Sequence, residues 1–324
     1  MKRIIVIFLI IISYFNTVYS EEYWKEIYRT DEIIGEIATN SHGDLFFTTN
    51  KFMRSINHGE DWEEVISQRT VGVGIDPTDK IIVGPPPLYV SEDNGETWSE
   101  LDFDIFTGVG DILFDSSGNI LLAGTDGTMN GICKPSESEL DFDMFTGVEG
   151  ILFDSSENIL YSNSNGNMNG ICKSSDNGLN WDLVFPCPGL NTEFITSFVE
   201  TNDGILFASS IAWLGGGGVY KSLDHGDSWE YSGLNNEYVS SLSLDKNGNI
   251  LAGSRGHYYE SNGNLFISED NGETWSELVD NILVTSIDVS PEGTIIIGSS
   301  SVSIYPAGAQ FSNDNGKTWT RPGS

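Results

Sequence analysis

The sequence of 324 residues contains few cysteines and few basic residues. It has 3 Cys, and 15 Lys and Arg against 48 Asp and Glu. Three cysteines are too few for a disulfide framework, although a Cys172–Cys187 bridge stays open, and no C-x-x-C or H-E-x-x-H stretch indicates zinc. We therefore predict no metal and no cofactor. The shortage of positive charge excludes nucleic acid as a partner, because a phosphate backbone requires a basic surface.

Long hydrophobic runs are absent except at the N-terminus, which reads MKRIIVIFLIIISYFNTVYS. Lys2 and Arg3 precede an apolar run that is shorter than the roughly 20 residues of a bilayer-spanning helix. This pattern predicts a secretory signal peptide over residues 1–20, cleaved after Ser20, rather than an uncleaved anchor. The mature chain would carry 13 − 48 = −35 charges. We expect the mature chain to be secreted, to be monomeric, and not to be inserted in a membrane after cleavage of the signal peptide.

A helical hydrophobic period is also absent, and a strand–turn–strand repeat takes its place. Seven units have two short apolar runs separated by Asp, Asn and Gly, as in ILFDSSGNILLAG from Ile112 and LSLDKNGNILAGS from Leu242. A third and a fourth short strand follow each unit. Four strands in a regular repeat predict an all-β fold, a seven-bladed β-propeller with four-stranded antiparallel blades. Six or eight blades would follow if the ends were misassigned. Residues 21–324 would form one domain.

Ring closure requires a strand from the N-terminus. The last repeat ends at Trp319 and leaves only five residues, too few for a fourth strand. Residues 23–28 match the pattern of fourth strands, so we expect them to pair with residues 307–312. An open ring would expose the edges of its terminal sheets.

A signature follows the third strand of most repeats. It reads S-x-D-x-G-x-T-W, as in SEDNGETW from Ser91 and again from Ser268, and the copy at Ser55 is weaker. In a tight turn the Asp accepts backbone N–H groups, Gly adopts positive φ, and Trp covers the hairpin. We therefore predict a structural role, on the outer rim, for its Asp, Gly and Trp residues: Asp93, Gly95, Trp98, Asp176, Gly178, Trp181, Asp224, Gly226, Trp229, Asp270, Gly272, Trp275, Asp314, Gly316 and Trp319.

This signature resembles the Asp-box, or BNR repeat, of sialidase-like, sortilin-like and photosystem-assembly propellers. One repeat lacks it: residues 101–139 and 140–178 match at most positions, and their junction SESEL equals its counterpart with DNGETW removed. A tandem duplication that lost a self-contained rim loop explains this difference, and the loss of six residues preserves strand alternation.

Ligands are expected at the opposite face, where the loops between second and third strands meet the interblade segments. Aromatic residues beside acids in these loops suit sugar rings, although they could also fill blade junctions. The candidate binding residues are Trp213, Arg255, His257, Tyr258, Tyr259, Glu260 and Tyr305. A glycosidase would need two carboxylates roughly 5–10 Å apart, and the interblade acids considered are Asp104, Asp143, Glu193, Glu237 and Asp280.

Resemblance to sialidases implies a cluster of three arginines, for which Arg29, Arg69 and Arg255 are the candidates. The R-I-P motif of that family is missing, which argues against sialidase activity. The sequence favours an extracellular module that binds or scaffolds glycan or protein and is not an enzyme. A glycoside hydrolase of sialidase-like or xyloglucanase-like type is the alternative, and an assembly factor for a membrane complex is a third option.

Overall fold

The computed structural model describes residues 28–29, 34–84, 87–101, 108–114, 120–126, 131–133, 150–163, 170–176, 178, 180–186, 193–212, 217–255, 263–300 and 308–319. Within these ranges all regular structure is β-strand, in seven separate antiparallel sheets. Six sheets have four strands, and the third has three in the described part of the chain. The predicted seven-bladed propeller is confirmed.

Each blade follows the chain from its innermost strand outwards. Blade 7 takes its fourth strand from the N-terminus, so β1 (Tyr28–Arg29) is described with it. Blades 1 to 3 contain β2 (Ile37–Thr39), β3 (Leu45–Thr48), β4 (Phe52–Ser55) and β5 (Glu63–Ile66); β6 (Gly72–Ile75), β7 (Ile81–Gly84), β8 (Leu88–Ser91) and β9 (Ser99–Leu101); and β10 (Gly108–Phe114), β11 (Ile120–Asp126) and β12 (Gly131–Cys133).

The remaining blades repeat this order. Blades 4 to 7 contain β13 (Ile151–Phe153), β14 (Ile159–Asn163), β15 (Gly170–Ser174) and β16 (Asp182–Pro186); β17 (Glu193–Glu200), β18 (Leu206–Ala212), β19 (Gly217–Ser222) and β20 (Glu230–Gly233); β21 (Val239–Leu244), β22 (Ile250–Ser254), β23 (Leu265–Ser268) and β24 (Ser276–Val279); and β25 (Leu283–Val289), β26 (Ile295–Ser300), β27 (Gly308–Ser312) and β1.

The ring closes through blade 7. Tyr28 pairs with Ala309, and Arg29 pairs with Gly308, which makes β1 the outer strand of the last sheet. Closure by an N-terminal strand is therefore confirmed at Tyr28, and residues 23–27 of the predicted strand lie outside the described residues. β1 thus gives blade 7 the same four-stranded sheet as the other complete blades.

The hydrophobic core lies between neighbouring blades rather than at one centre. Leu251 and Ile267 of blade 6 pack with Val284 and Ile295 of blade 7 in one buried cluster. Strand residues of this kind are buried on both faces, because each sheet is covered on two sides. The runs of Ile, Leu and Val in the inner strands follow from that position.

Candidate functional site

A channel of about 840 Å³ runs along the propeller axis and is lined by the first strands of all seven blades. At one end lies Arg255, which follows β22 in the loop between second and third strands. At the other end lie turns between first and second strands, including Asn40 and Asp79. We call the first end the mouth, and it is the end at which the sequence predicts ligands.

One residue in each first strand, or directly before it, occupies the same register near the mouth. These residues pair with, or lie opposite, corresponding positions of the second strands, and a bulge precedes the position in β10, β17, β21 and β25. We call them the mouth ring. In blade order they are Glu36, Gly72, Asp111, Gly150, Ser197, Ser241 and Ser286.

Side chains at four positions of the mouth ring join their blade to the next. Glu36 Oε2 accepts the Val73 N–H at 2.8 Å, and Ser197 Oγ accepts the Leu242 N–H at 3.2 Å. Asp111 Oδ2 accepts the Ile151 N–H at 3.1 Å. These acceptors satisfy backbone donors that face the channel and have no partner inside their own sheet.

Asp111 compensates for the glycine before it in the ring. Gly72 has no side chain to reach blade 3, and Asp111 Oδ1 accepts the N–H of its own neighbour Ile112 at 2.9 Å. The Asp111 carboxylate therefore accepts backbone N–H groups from both blade 3 and blade 4. The sequence predicted neither this residue nor Glu36 as part of the site.

The acids of the channel titrate abnormally. Loss of contact with bulk water raises the pKa of Glu36 well above its usual value, the negative charge of Asp111 raises it further, and the Val73 N–H opposes this. Loss of bulk water also raises the pKa of Asp111 to about 6, although the N–H groups of Ile151 and Ile112 favour its ionised form.

A third acid, Asp288, lies between blades 7 and 1. Asp288 Oδ1 accepts the Val289 N–H at 2.8 Å, and the carboxylate also bonds the backbone and hydroxyl of Thr39 in blade 1. Loss of bulk water raises the pKa of Asp288 to about 6, and these bonds oppose the shift. The acids of the channel therefore belong to blades 7, 1 and 3, and Arg255 of blade 6 is the basic residue among the described residues that line it.

The Asp-box turns lie at the other end, between third and fourth strands, and they are held as predicted. In blade 2, Asp93 Oδ1 accepts the Thr97 N–H and the Ser91 hydroxyl, both at 2.8 Å, while Ser91 Oγ accepts the Gly95 N–H at 2.7 Å. The Thr97 hydroxyl, its N–H and the Ser91 hydroxyl lower the pKa of Asp93 to about 2. The turns of blades 4 to 7 repeat these bonds.

The tryptophans of the boxes differ in burial. Trp319 is 4% exposed, whereas Trp98, Trp181, Trp229 and Trp275 are only half-buried. The cause is the position of the fourth strand at the outer edge of a blade, where one face of the ring meets solvent.

Most predicted ligand residues lie outside the described residues: Trp213, His257, Tyr258, Tyr259, Glu260 and Tyr305. Arg255 is exposed and lines the mouth. Arg69 is exposed in the segment between β5 and β6 and is not among the channel residues. Arg29 is placed by its backbone in β1, the outer strand of blade 7. The predicted convergence of three arginines on the channel is not seen in the described part.

Those interblade acids that the structure describes do not line the channel either. Glu237 and Asp280 are described and do not line it; Asp104 and Asp143 lie outside the described residues, as does the side chain of Glu193. A signal for the true channel acids was present in the repeats. Aligning the residue that precedes the apolar core of each first strand gives Glu, Gly, Asp, Gly, Ser, Ser and Ser. The predictions made from the sequence did not use this aligned position.

Two absences hold for the described ranges. They contain no group of three or more His, Cys, Asp or Glu residues arranged to hold a metal ion. In the same ranges there is no helix with the length and hydrophobicity that crossing a bilayer requires.

Comparison with known proteins supports the repeat and the fold. The family model described as BNR/Asp-box repeat matches residues 89–100, 266–277 and 310–321, which contain the boxes of blades 2, 6 and 7. No curated protein matches the sequence.

Several solved structures share the architecture. A GH74 enzyme from Niastella koreensis has a TM-score of 0.73 and 17% identity over 91% of this chain and 54% of its own. The extracellular domain of the one-component system BT4673 from B. thetaiotaomicron has a TM-score of 0.67 and 14% identity over 89% of this chain and 40% of its own. A YCF48 protein bound to D1 peptide has a TM-score of 0.61 and 18% identity over 87% and 93%.

The chain thus spans 40% of the BT4673 domain and 54% of the GH74 enzyme. Likeness at these identities shows the fold alone. Together with the matched repeats and the seven sheets, it leads to one conclusion. The chain is a β-propeller that carries BNR/Asp-box repeats.

Proposed function

We propose that this chain is a secreted recognition module, folded as one domain over residues 21–324, that binds a glycan, free or attached to a protein, at the mouth of its channel. The channel carries this proposal. Its volume of about 840 Å³ falls within the roughly 300–1,000 Å³ of small-molecule sites. Its mouth combines carboxylates, serine and threonine hydroxyls and one guanidinium, which match the hydroxyl groups of a sugar.

Secretion is supported by the predicted signal peptide and by the charge of the chain. A formal net charge of −33 keeps the surface well solvated and repels anionic membranes. The aromatic residues predicted for the mouth loops, Trp213 and Tyr258 among them, would supply stacking surfaces for sugar rings.

Glycoside hydrolysis is the second candidate, and the pair Glu36 and Asp111 favours it. Burial raises the pKa of Glu36, so this carboxyl group keeps its proton to higher pH than an ordinary glutamate, which suits the protonation of a leaving group. It ranks second because both oxygens of Asp111 already hold backbone N–H groups, which fixes that carboxylate as an interblade contact.

The test is a glycan array with the mature chain, followed by titration of each hit. We expect binding to a restricted set of glycans and weaker binding by Glu36→Gln, whose amide oxygen still accepts the Val73 N–H. Glu269→Gln is the matched control, because Glu269 is exposed on a box at the far end. Absence of any hit, or hits that Glu36→Gln leaves unchanged, contradicts the proposal. Hydrolysis of a hit by the parent chain, lost in Glu36→Gln, would favour the second candidate.

A further inference from the structure

We propose that Asn271, in the Asp-box of blade 6, is a site of spontaneous deamidation, whereas Asn94, in the identical sequence of the blade 2 box, is protected by the fold. This modification is independent of ligand binding at the mouth and concerns the opposite face of the propeller. Two copies of one sequence carry the proposal, because their carboxamide groups meet different neighbours.

The two boxes have the same local sequence. Residues 91–101 and 268–278 both read SEDNGETWSEL, with an Asn-Gly pair at the same place. An Asn-Gly pair favours deamidation, because glycine has no Cβ to shield the backbone nitrogen that attacks. The local sequence therefore treats Asn94 and Asn271 alike, and a difference between them comes from the fold.

The reaction needs only the chain and water. The backbone nitrogen of the glycine attacks Cγ of the asparagine, and a new C–N bond closes a five-membered succinimide ring. The carboxamide C–N bond breaks, and its nitrogen leaves as ammonia with the proton that the attacking nitrogen gives up. Water then opens the ring at either carbonyl group, which yields aspartate or isoaspartate.

The backbone of the two boxes is also the same. Asn94 and Asn271 both have a left-handed conformation, with φ of 61° and 55°. In each box the N–H of the following glycine donates to Oγ of the serine that opens the box, at 2.7 Å in blade 2 and 2.8 Å in blade 6. The attacking nitrogen is therefore held equally in both boxes.

The carboxamide of Asn94 is fixed by the preceding blade. Its Nδ2 donates to Asp44 Oδ2 at 2.7 Å, and its Oδ1 accepts from Asn40 Nδ2 at 2.8 Å. Both partners lie in the turn between β2 and β3, where Asp44 is 8% exposed and Asn40 is 2% exposed. Both polar atoms of the group that must rotate for the attack are thus bonded, one of them to a carboxylate.

The carboxamide of Asn271 lacks such partners. The residue is exposed, and no hydrogen bond joins its side chain to the part of the chain that the structure describes. Exposure of this kind leaves the carboxamide free to rotate towards the glycine nitrogen and open to the water that the second step requires.

The turn between first and second strands explains the difference. In blade 1 the turn is closed by a bond from Asn40 N to Asp44 O, and in blade 5 the same bond runs from Thr201 N to Ile205 O. Threonine and isoleucine thus occupy the positions that asparagine and aspartate have in blade 1. Isoleucine offers no side-chain acceptor, and Thr201 Oγ1 already accepts the Ile205 N–H at 3.1 Å.

Deamidation would alter the junction between blades 5 and 6. Ser232 of blade 5 donates its hydroxyl to Gly272 O at 2.8 Å, directly after the modified residue. Isoaspartate adds a methylene group to the main chain at this point, and either product adds a negative charge beside the exposed Glu269 and Glu273. The modified chain is therefore separable from the parent chain by anion exchange.

The experiment is incubation of the mature chain at mildly alkaline pH, followed by peptide mapping with mass spectrometry. The residues before each box, Tyr89 and Val90 in one copy and Phe266 and Ile267 in the other, distinguish the two peptides. We expect Asn271 to convert at least about tenfold faster than Asn94, because two hydrogen bonds of Asn94 must break before its carboxamide can react.

The same measurement in concentrated urea is the internal control. Because the local sequences are identical, the two rates should become equal once the chain is unfolded. Asp44→Ala, which removes the acceptor of Asn94 Nδ2, should raise the rate at Asn94 in the folded chain and leave the rate at Asn271 unchanged. Circular dichroism will verify that this variant is folded.

Three outcomes would overturn the proposal. Equal rates in the folded chain would show that the bonds to Asp44 and Asn40 do not protect Asn94. A difference that persists in urea would assign it to sequence outside the boxes. Conversion of Asn271 in urea but not in the folded chain would show that the turn itself protects both asparagines.

Discussion

At the scale of the residue, the glycines of the Asp-boxes in blades 5, 6 and 7 have two reasons to be glycine. Their φ is positive, +78° for Gly272. In addition, a Cβ on Gly272 would lie 2.6 Å from Phe207 Cε1 and 2.2 Å from Ser232 Oγ, both in the preceding blade. Gly316 approaches Leu278 of the blade before it at 2.8 Å in the same way. The box is therefore an interblade contact and not only a self-contained turn.

We predict that Gly272→Ala destabilises the protein by about 1–3 kcal/mol more than Gly248→Ala, because only the first forces a neighbouring blade to move. Gly248 is the matched control: its φ is +83°, and the nearest atom to a Cβ is Asn202 Nδ2 at 3.6 Å. Urea denaturation followed by tryptophan fluorescence measures both. Equal losses would mean that backbone strain alone explains the glycine.

The residue scale is also where sequence reasoning reached its limit. It predicted the bonds of Asp93 and Asp270 because these are made within eight consecutive residues. It missed Glu36 and Asp111, whose role depends on a bulge and on the N–H groups of another blade. Contacts between repeats are not encoded locally, so only an alignment of the seven first strands could have drawn attention to them.

At the scale of the element, third strands carry cations that bind the box of the next blade. Arg54 in β4, with 5% of its side chain exposed, contacts Glu63 at 2.6 Å and Glu96 of the blade 2 box at 2.9 Å. Lys173 in β15 contacts Asp227 of the blade 5 box at 2.6 Å, and Lys221 in β19 contacts Glu273 of the blade 6 box. One arrangement therefore recurs at three blade junctions of the described chain.

We expect Arg54→Leu to lower the free energy of unfolding by about 2–3 kcal/mol, since a buried guanidinium loses charge-assisted bonds on two blades. Lys51→Leu, which removes an exposed pair with Glu64 inside blade 1, should cost less than about 1 kcal/mol. Chemical denaturation of the two variants provides the comparison. A loss at Arg54 no larger than that at Lys51 would show that this junction does not depend on the ion pair.

Sequence predicted the elements well because propeller strands are short, repeated and separated by turn residues. It also predicted the closing strand, since the last repeat lacked one. The degree of burial of each box tryptophan was not predictable from the sequence, because it depends on how far the neighbouring blade overlaps the fourth strand. That overlap differs around the ring: Trp275 donates to Ser232 O of blade 5, whereas Trp229 donates to Gly226 O of its own box.

At the scale of the whole molecule, two sets of acids change the stability of the fold in opposite directions as pH falls. Asp111 and Asp288 have a pKa of about 6 in the folded protein, above the value of about 3.9 in an unfolded chain. The folded state then binds more protons between pH 4 and 6, so stability rises as pH falls through this window. Asp93, with a pKa of about 2, has the opposite effect and loses its contribution as pH falls from about 4 to 2.

We therefore predict that the melting temperature increases from pH 7 to pH 5 and falls again below pH 4. Asp111→Asn combined with Asp288→Asn should flatten the rise, because the titrating groups are gone, and should leave the acid-side loss in place. Differential scanning calorimetry at pH 7, 6, 5 and 3 will test this. If the melting temperature of the double variant rises by the same amount, the general negative charge of the surface causes the rise and the two acids do not.

The difference between Asp111 and Gly150 has a consequence for how such proteins diversify. The two copies share the backbone frame of the blade, although only Asp111 supplies a side-chain bond to the following first strand. A later exchange at one inward position then alters the electrostatic character of the lumen while the architecture is left intact. Each blade thus contributes one independently adjustable position to the pore.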